Sequence, residues 1–133
     1  MTDILGIDHV AITVADLEAS CAFYDRLFGA RVVAEYAAGT RILVRQITVG
    51  AALLSLHQEG NGVTLVARKP TTGAADVCFR WGGTIASAVD RLKAHAIPLV
   101  DGPSPRRTSD GRPSQSVYFR DPDGNLLELM AAD

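Results

Sequence analysis

Four side chains with metal-binding chemistry occur in β-rich stretches of the chain: His9, His57, Asp76 and Glu128. Because successive side chains of a strand point to opposite faces, each of the four falls on the face away from its apolar neighbours. Glu128 has two apolar residues on either side, and a buried carboxylate without a partner is unfavourable. Two imidazoles and two carboxylates suit a divalent ion such as Zn, Fe(II), Mn, Ni or Co, without choosing among them. The pattern predicts a divalent-metal site.

Each of the four residues also has a structural alternative. A histidine such as His9 on a strand is often a hydrogen-bonded structural residue, and Glu128 could form a salt bridge to an arginine. Asp76 opens a strand, where aspartate commonly forms a turn or cap. His57 could lie at an exposed strand end, act as a metal ligand or serve as a base that contacts substrate. These alternatives stay open at the level of sequence.

The same alternation predicts a substrate pocket beside the metal, lined by Ser55, Cys78, Arg80, Tyr118 and Arg120. A packing role for Tyr118 is equally compatible with the pattern. The candidate catalytic residues are Glu128 and His57, since either could take a proton from carbon.

Two similar halves must position these residues. In the first, a strand over 7–14 precedes a helix that Asp16 caps and Gly29 closes. Three further strands are predicted at 30–36, 41–49 and 51–58. The second half repeats this order with a strand at 75–81, a helix capped by Thr84, and strands at 97–100, 114–120 and 125–130. The Gly-, Pro- and Ser-rich stretch 101–115, which carries Arg106 and Arg107, is predicted to be a solvated loop or a lid that attracts an anionic substrate.

The predicted fold class is α+β, with two βαβββ modules in one domain spanning residues 1–133. Module 1 covers about 5–58, a linker about 59–74, and module 2 about 75–131. Two such sheets can join into a curved, barrel-like mixed sheet with the helices outside. Its concave face would form the pocket.

Composition excludes several classes of partner. The chain has 133 residues, 47% of them hydrophobic and 21% charged, with a net charge of −2. It shows no basic footprint for nucleic acid, and no apolar stretch long enough to cross a membrane. The first residues lack the basic region of a signal peptide, so Cys21 and Cys78 are expected as reduced, buried thiols, although sequence leaves a disulfide open. We expect a cytoplasmic protein.

Two segments resemble a known superfamily. IDHVAITVADLEASCAFYDRLFG (7–29) is similar to the opening of glyoxalase I, fosfomycin-resistance and methylmalonyl-CoA epimerase proteins, and SVYFRDPDGNLLEL (116–129) to their closing strand pair. The chain therefore resembles the vicinal oxygen chelate (glyoxalase, bleomycin resistance, extradiol dioxygenase) superfamily, and most of all its less-characterised bacterial glyoxalase-domain proteins. The resemblance implies that His9 and Glu128 are metal ligands. It also shows two departures, since Asp76 stands where histidine is usual and Ser55 matches Glu128, with His57 two residues further.

The resemblance implies a metal-dependent lyase or isomerase that acts on a small oxygen-bearing substrate through a metal-stabilised enediolate. An Fe(II) extradiol-type dioxygenase is one alternative, and a non-catalytic small-molecule-binding or resistance protein is another. The expected partners are a small-molecule substrate and a second copy of the chain in a homodimer.

Overall fold

The computed structural model describes residues 2–132. The chain divides into two compact units between Thr72 and Gly73. Module 1 contains β1 (Val10–Val14), α1 (Leu17–Phe28), β2 (Arg31–Ala38), β3 (Arg41–Val49) and β4 (Ala52–Gln58). Module 2 contains β5 (Asp76–Trp81), α2 (Ile85–Ala94), β6 (Asp101–Arg107), β7 (Pro113–Arg120) and β8 (Leu126–Ala131).

Each module folds its four strands into one mixed sheet. The strand order is β1-β4-β3-β2 in module 1 and β5-β8-β7-β6 in module 2. β1 pairs with β4, and β5 with β8, in parallel, whereas the other neighbours are antiparallel. The predicted α+β class and the repeated βαβββ order are therefore confirmed.

The capping pattern correctly predicts both ends of α1 and the start of α2. The Asp16 carboxylate accepts a hydrogen bond from the Ala19 amide at 3.2 Å, and the Thr84 hydroxyl accepts one from the Ser87 amide at 3.1 Å. Gly29 closes α1 in the left-handed conformation, with φ of 66°, a region that glycine enters without steric cost. The local sequence thus fixes where α1 starts and stops, and where α2 starts.

Alternation along the strands selects which face of each sheet is buried. Leu54 and Leu56 of β4 and Leu127 and Leu129 of β8 are at most 4% exposed. Full burial of a leucine side chain is worth about 1.5–3 kcal/mol, so these positions hold each strand in its register. The residues between them, including Ser55 and Glu128, are therefore committed to the opposite face.

One stretch of module 2 departs from the prediction. Residues 97–100 form no strand, and the predicted loop 101–115 contains β6 and the start of β7. β6 lies at the edge of its sheet, where Pro103 and Pro105 can be accommodated because one row of amides needs no partner. A Pro-rich edge strand lacks the apolar alternation that marks a strand in sequence, which explains why the prediction was wrong.

A buried polar turn joins β7 to β8. One Asp121 carboxylate oxygen accepts hydrogen bonds from the amides of Asp123 (3.0 Å) and Asn125 (2.9 Å), and the other accepts one from the Asn125 side chain at 2.8 Å. The Asn125 side-chain oxygen in turn accepts from the Ala75 amide at 2.9 Å. This turn therefore fixes the start of β8 against the start of β5, and so sets the position of Glu128. Within residues 2–132, no helix is long and apolar enough to span a membrane.

Candidate functional site

The strand register makes His9 and Asp76 equivalent positions of the two modules. Val10 pairs with Leu54 in module 1, and Val77 pairs with Leu127 in module 2. The residue before each valine is His9 or Asp76, and the residue after each leucine is Ser55 or Glu128. Within a module the two polar positions are diagonal neighbours, about 8 Å apart at Cα for a parallel strand pair.

Glu128 lies half-buried in the middle of the module 2 sheet. Cys78 is its register partner on β5, and Tyr118 is its partner on β7. Among the described residues Glu128 forms no ion pair, which removes the predicted alternative of a salt bridge to Arg80 or Arg120. The Arg120 guanidinium instead donates to the Gly124 carbonyl at 3.3 Å.

The Glu128 carboxylate influences the pKa of the Cys78 thiol. The two cysteines are free thiols, and Cys78 keeps contact with solvent, so its predicted burial is wrong. Partial burial, and then the neighbouring Glu128 carboxylate, raise the pKa of the Cys78 thiol to about 11. The thiol is therefore protonated at neutral pH and is neither an activated nucleophile nor a thiolate ligand.

Several polar groups share the face of the module 2 sheet that carries Glu128. The Arg106 guanidinium donates to the Tyr118 hydroxyl at 2.8 Å and lies over the tyrosine ring at 5.4 Å from its centroid. The hydroxyls of Ser104, Ser114 and Ser116, two to four residues further along these strands, are buried and have no hydrogen-bond partner among the described residues. This face combines a carboxylate, a phenol, a guanidinium and three unpaired hydroxyls.

In module 1, the His9 imidazole has a carboxylate partner. Its Nδ1 lies 2.8 Å from a carboxylate oxygen of Asp8, and the side chain is exposed. A carboxylate on one ring nitrogen fixes the tautomer and leaves Nε2 to bind a cation, as is usual for metal-binding histidines. Ser55 differs from its counterpart Glu128 because its buried hydroxyl accepts a hydrogen bond from Gln46 at 2.9 Å. A hydroxyl in that role is a poor metal ligand.

The structure does not bring His57 to His9. His57 pairs in register with Thr13, four residues along β1 from His9, which corresponds to about 13 Å. The Nδ1 atom of His57 is buried and has no hydrogen-bond partner within residues 2–132, and burial lowers the pKa of the imidazole. His57 is therefore neutral at pH 7 and able to accept a proton.

The residue types fit a divalent cation, although their side chains do not form a cluster in this structure. Across residues 2–132, no three His, Cys, Asp or Glu side chains lie close enough together to hold a metal ion. Two observations nevertheless favour a cation: the half-buried Glu128 carboxylate without a basic partner, and the His9 imidazole held by Asp8. Asp76 is exposed and pairs in register with Leu126, two positions before Glu128. His9, Asp76 and Glu128 are therefore candidate metal ligands by residue type, without forming one cluster.

Three side-chain contacts of the candidate site residues were not predicted from the sequence. Asp8 orients His9, Gln46 occupies the Ser55 hydroxyl, and Arg106 binds Tyr118. The acid that precedes His9 was visible as a candidate partner, but the other two contacts depend on strand register.

Comparison with known proteins identifies the family. Residues 6–129 match the Glyoxalase/Bleomycin resistance protein/Dioxygenase superfamily. The chain belongs to this superfamily. The glyoxalase domain-containing protein RDO1 of Mycosarcoma maydis is 37% identical over 95% of this chain and 68% of its own length. The integron cassette protein VCH_CASS1 of V. Cholerae, a solved structure, superposes with a TM-score of 0.87 at 31% identity, covering 100% of this chain and 99% of its own.

Two further similar proteins carry names that state an activity or a resistance. An ethylmalonyl-CoA/methylmalonyl-CoA epimerase of Cereibacter sphaeroides is 31% identical over 92% of this chain and 95% of its own length. The fosfomycin resistance protein FosX of Listeria monocytogenes, solved with Mn(II) and sulfate, has a TM-score of 0.67 at 21% identity over 98% of this chain and 92% of its own. The FosX likeness concerns the fold alone.

Proposed function

We propose that this protein is a divalent-metal-dependent enzyme of the lyase or isomerase type that acts on a small oxygen-bearing substrate. The observation that carries the proposal is Glu128, a half-buried carboxylate with no basic partner among residues 2–132. A partly buried carboxylate without a counter-charge is favourably paired with a bound cation. The similarity to an ethylmalonyl-CoA/methylmalonyl-CoA epimerase, 31% identical over 92% of this chain, supports the same chemistry.

The proposed ligands are Glu128, His9 and Asp76, with His57 as a further candidate. Asp8 would hold the His9 ring with Nε2 available, and oxygen ligands from Asp76 and Glu128 suit Mn, Fe(II), Co, Ni or Zn. A bound cation would supply Lewis-acid polarisation of two neighbouring substrate oxygens.

The protein's own side chains would bind the substrate and move its protons. The Arg106–Tyr118 pair offers hydrogen bonds to substrate oxygens, and Cys78, Arg80 and Arg120 remain candidates for the pocket wall. Either Glu128 or the neutral imidazole of His57 can accept the proton that leaves carbon. Tyr118 is the nearest phenol to Glu128 along the strand pair, so its hydroxyl can donate to an oxygen on which charge develops.

A binding protein without catalysis is the second candidate. The specific observation in its favour is Ser55, which occupies the position equivalent to Glu128 and is already hydrogen-bonded to Gln46. A chain that binds a ligand without chemistry needs no complete ligand set. The dioxygenase alternative has no observation of its own in this structure.

Metal content is the deciding experiment. Tag-free protein, purified without chelator, is expected to contain near-stoichiometric divalent metal by mass spectrometry, and Glu128→Ala and His9→Ala are expected to lose it. Asp90→Ala, which removes an exposed acid of α2 in the same module, is the matched control and should keep the metal.

The identity of the metal then selects the assay. Solvent-proton exchange into carbonyl substrates tests the lyase or isomerase proposal, and ferrous-iron-dependent oxygen uptake with catechols tests the dioxygenase alternative. Protein that stays free of metal after reconstitution would refute the enzyme proposal and favour the binding protein. Light scattering tests the proposed homodimer, and cell fractionation tests the proposed cytoplasmic location.

A further inference from the structure

Arg106 places a fixed positive charge on module 2. Its Nε donates to the Tyr118 hydroxyl at 2.8 Å and its Nη1 to the Pro105 carbonyl at 2.7 Å, and the guanidinium lies 5.4 Å from the centroid of the Tyr118 ring. Arg106 belongs to β6, which is paired with β7, and not to the loop or lid that the sequence predicts. Two hydrogen bonds and a ring contact pre-organise the guanidinium, so that less entropy is lost when it binds a ligand.

The outer edge of this guanidinium is available to a ligand. Its Nη2 has no hydrogen-bond acceptor among residues 2–132, and Arg106 forms no ion pair with the acids of that range. The side chain is exposed, so a dissolved molecule can reach it. A guanidinium matches a carboxylate, because two parallel N–H groups can donate to the two carboxylate oxygens.

Tyr118 connects this cation to Glu128. Tyr118 pairs in register with Glu128 of β8 on one side and with Asp101 of β6 on the other, so the phenol and both carboxylates share one face of the sheet. The Asp101 carboxylate accepts a hydrogen bond from the Gly102 amide at 2.8 Å and leaves the charge of Arg106 unpaired. The Tyr118 hydroxyl accepts from Arg106 and can still donate its own proton to a ligand oxygen.

The surrounding charges favour a ligand with a single negative charge. One guanidinium can neutralise one negative charge. A doubly charged phosphate would therefore keep an uncompensated charge near the Glu128 and Asp101 carboxylates, which is unfavourable. A neutral amide would avoid the repulsion but would lose the charge-assisted hydrogen bonds. A small monocarboxylate is the ligand that this arrangement favours.

From this arrangement we propose that Arg106 determines the substrate class of the enzyme, a small oxygen-bearing acid whose carboxylate binds the Arg106 guanidinium while the Tyr118 hydroxyl donates to another of its oxygens. The inference rests on the proposed function, because it assigns this carboxylate to the substrate of the Glu128 site. Binding of the carboxylate to Arg106 needs no metal. Metal-free protein therefore tests it separately from the metal proposal.

The experiment titrates chelator-treated protein with butyrate, butyramide and propyl phosphate at constant ionic strength. Carbon-detected NMR of protein labelled in arginine and tyrosine follows the Arg106 guanidinium and the Tyr118 ring. Butyrate is expected to shift both sets of signals saturably and to bind at least about threefold more tightly than either other probe. This preference is modest because water screens charge-assisted hydrogen bonds at an exposed side chain.

Three variants separate Arg106 from other arginines of module 2. Arg106→Met removes the charge and should weaken butyrate about fivefold or more, as followed by the Tyr118 ring, and should abolish the preference over butyramide. Arg107→Met is the matched control, because Arg107 is the exposed neighbour on β6 and donates to the Gly111 carbonyl at 2.8 Å. Arg107→Met and Arg80→Met should leave the affinity for butyrate unchanged.

The proposal is overturned if butyrate fails to shift the Arg106 signals saturably, or if butyramide or propyl phosphate binds as tightly as butyrate. It is also overturned if Arg107→Met or Arg80→Met weakens butyrate as much as Arg106→Met does. Stoichiometric metal with an unresponsive Arg106 would overturn this inference and leave the metal proposal standing. A saturable response of Arg106 in protein that binds no metal would support the carboxylate site and refute the metal proposal.

Discussion

Replacing Glu128 by glutamine is expected to accelerate alkylation of Cys78. The thiol's pKa of about 11, against an ordinary value of 9.0, leaves about 0.1% thiolate at pH 8, compared with about 9% for an unperturbed cysteine. Because the thiolate is the reactive form, Cys78 in the native protein should react with iodoacetamide about 90-fold more slowly than an unperturbed thiol.

Glu128 is the second cause of that raised pKa, after burial, and it acts through both its charge and its hydrogen bond. Glu128→Gln removes the charge and leaves the burial, so the pKa should fall part of the way and the rate at pH 8 should rise about three- to tenfold, since water screens a charge near an exposed thiol. The rate in either protein should increase with pH, and the midpoint of the variant should lie lower.

The assay uses metal-free protein with Cys21→Ser, so that Cys78 is the single thiol. Arg80→Met is the control of opposite sign, because the guanidinium lowers the pKa of Cys78 and its removal should slow the reaction. An unchanged or slower reaction in Glu128→Gln would show that no carboxylate charge lies beside this thiol. The assignment of Glu128 as an unpaired acid would then be refuted.

Three further predictions concern the framework that positions the site. Asn125→Ala should lower the free energy of unfolding by about 2–4 kcal/mol in urea denaturation, because the buried Asp121 carboxylate and the Ala75 amide each lose one hydrogen bond. A loss below about 1 kcal/mol would contradict the buried network. Gly102→Ala should lower the free energy of unfolding by roughly 2 kcal/mol or more, measured by calorimetry, because φ is +92° and a Cβ would collide with the Ser116 carbonyl. An unchanged Tm would refute this close approach. Asp16→Ala should lower the free energy of unfolding by about 0.5–2 kcal/mol in the same measurement. Asp16→Asn should retain most of the stability, because asparagine still caps α1. Equal losses in the two variants would count against the cap.

Most of the fold could be predicted because its signals are local. Apolar alternation placed seven of the eight strands, and the side chains of Asp16 and Thr84 marked the starts of both helices. β6 could not be predicted, since its prolines are compatible with a strand only at the edge of a sheet, and the position of a strand in the sheet is a tertiary property.

The sequence predicted which face of a strand each candidate site residue occupies, but not the distances between these residues. Period-two alternation correctly placed Glu128 away from the buried leucines, but it contains no information about how far along the paired strands two residues lie. His9 and His57 share a predicted face, yet the register separates them by four residues. Hydrogen bonds between side chains of neighbouring strands, such as that of Gln46 to Ser55, depend on the same register and could not be predicted from the sequence either.

The parallel pairing of β1 with β4 has a consequence for synthesis of the chain. Val10 cannot find its partner Leu54 until three further elements have left the ribosome, a delay of about 2–9 s at ordinary rates of translation. During that interval Ile12 and Val14, which end up buried, are open to chaperones and to other nascent chains. Module 2 imposes the same delay between Val77 and Leu127. The speed at which these two stretches are translated should therefore influence how much of the protein reaches its folded state.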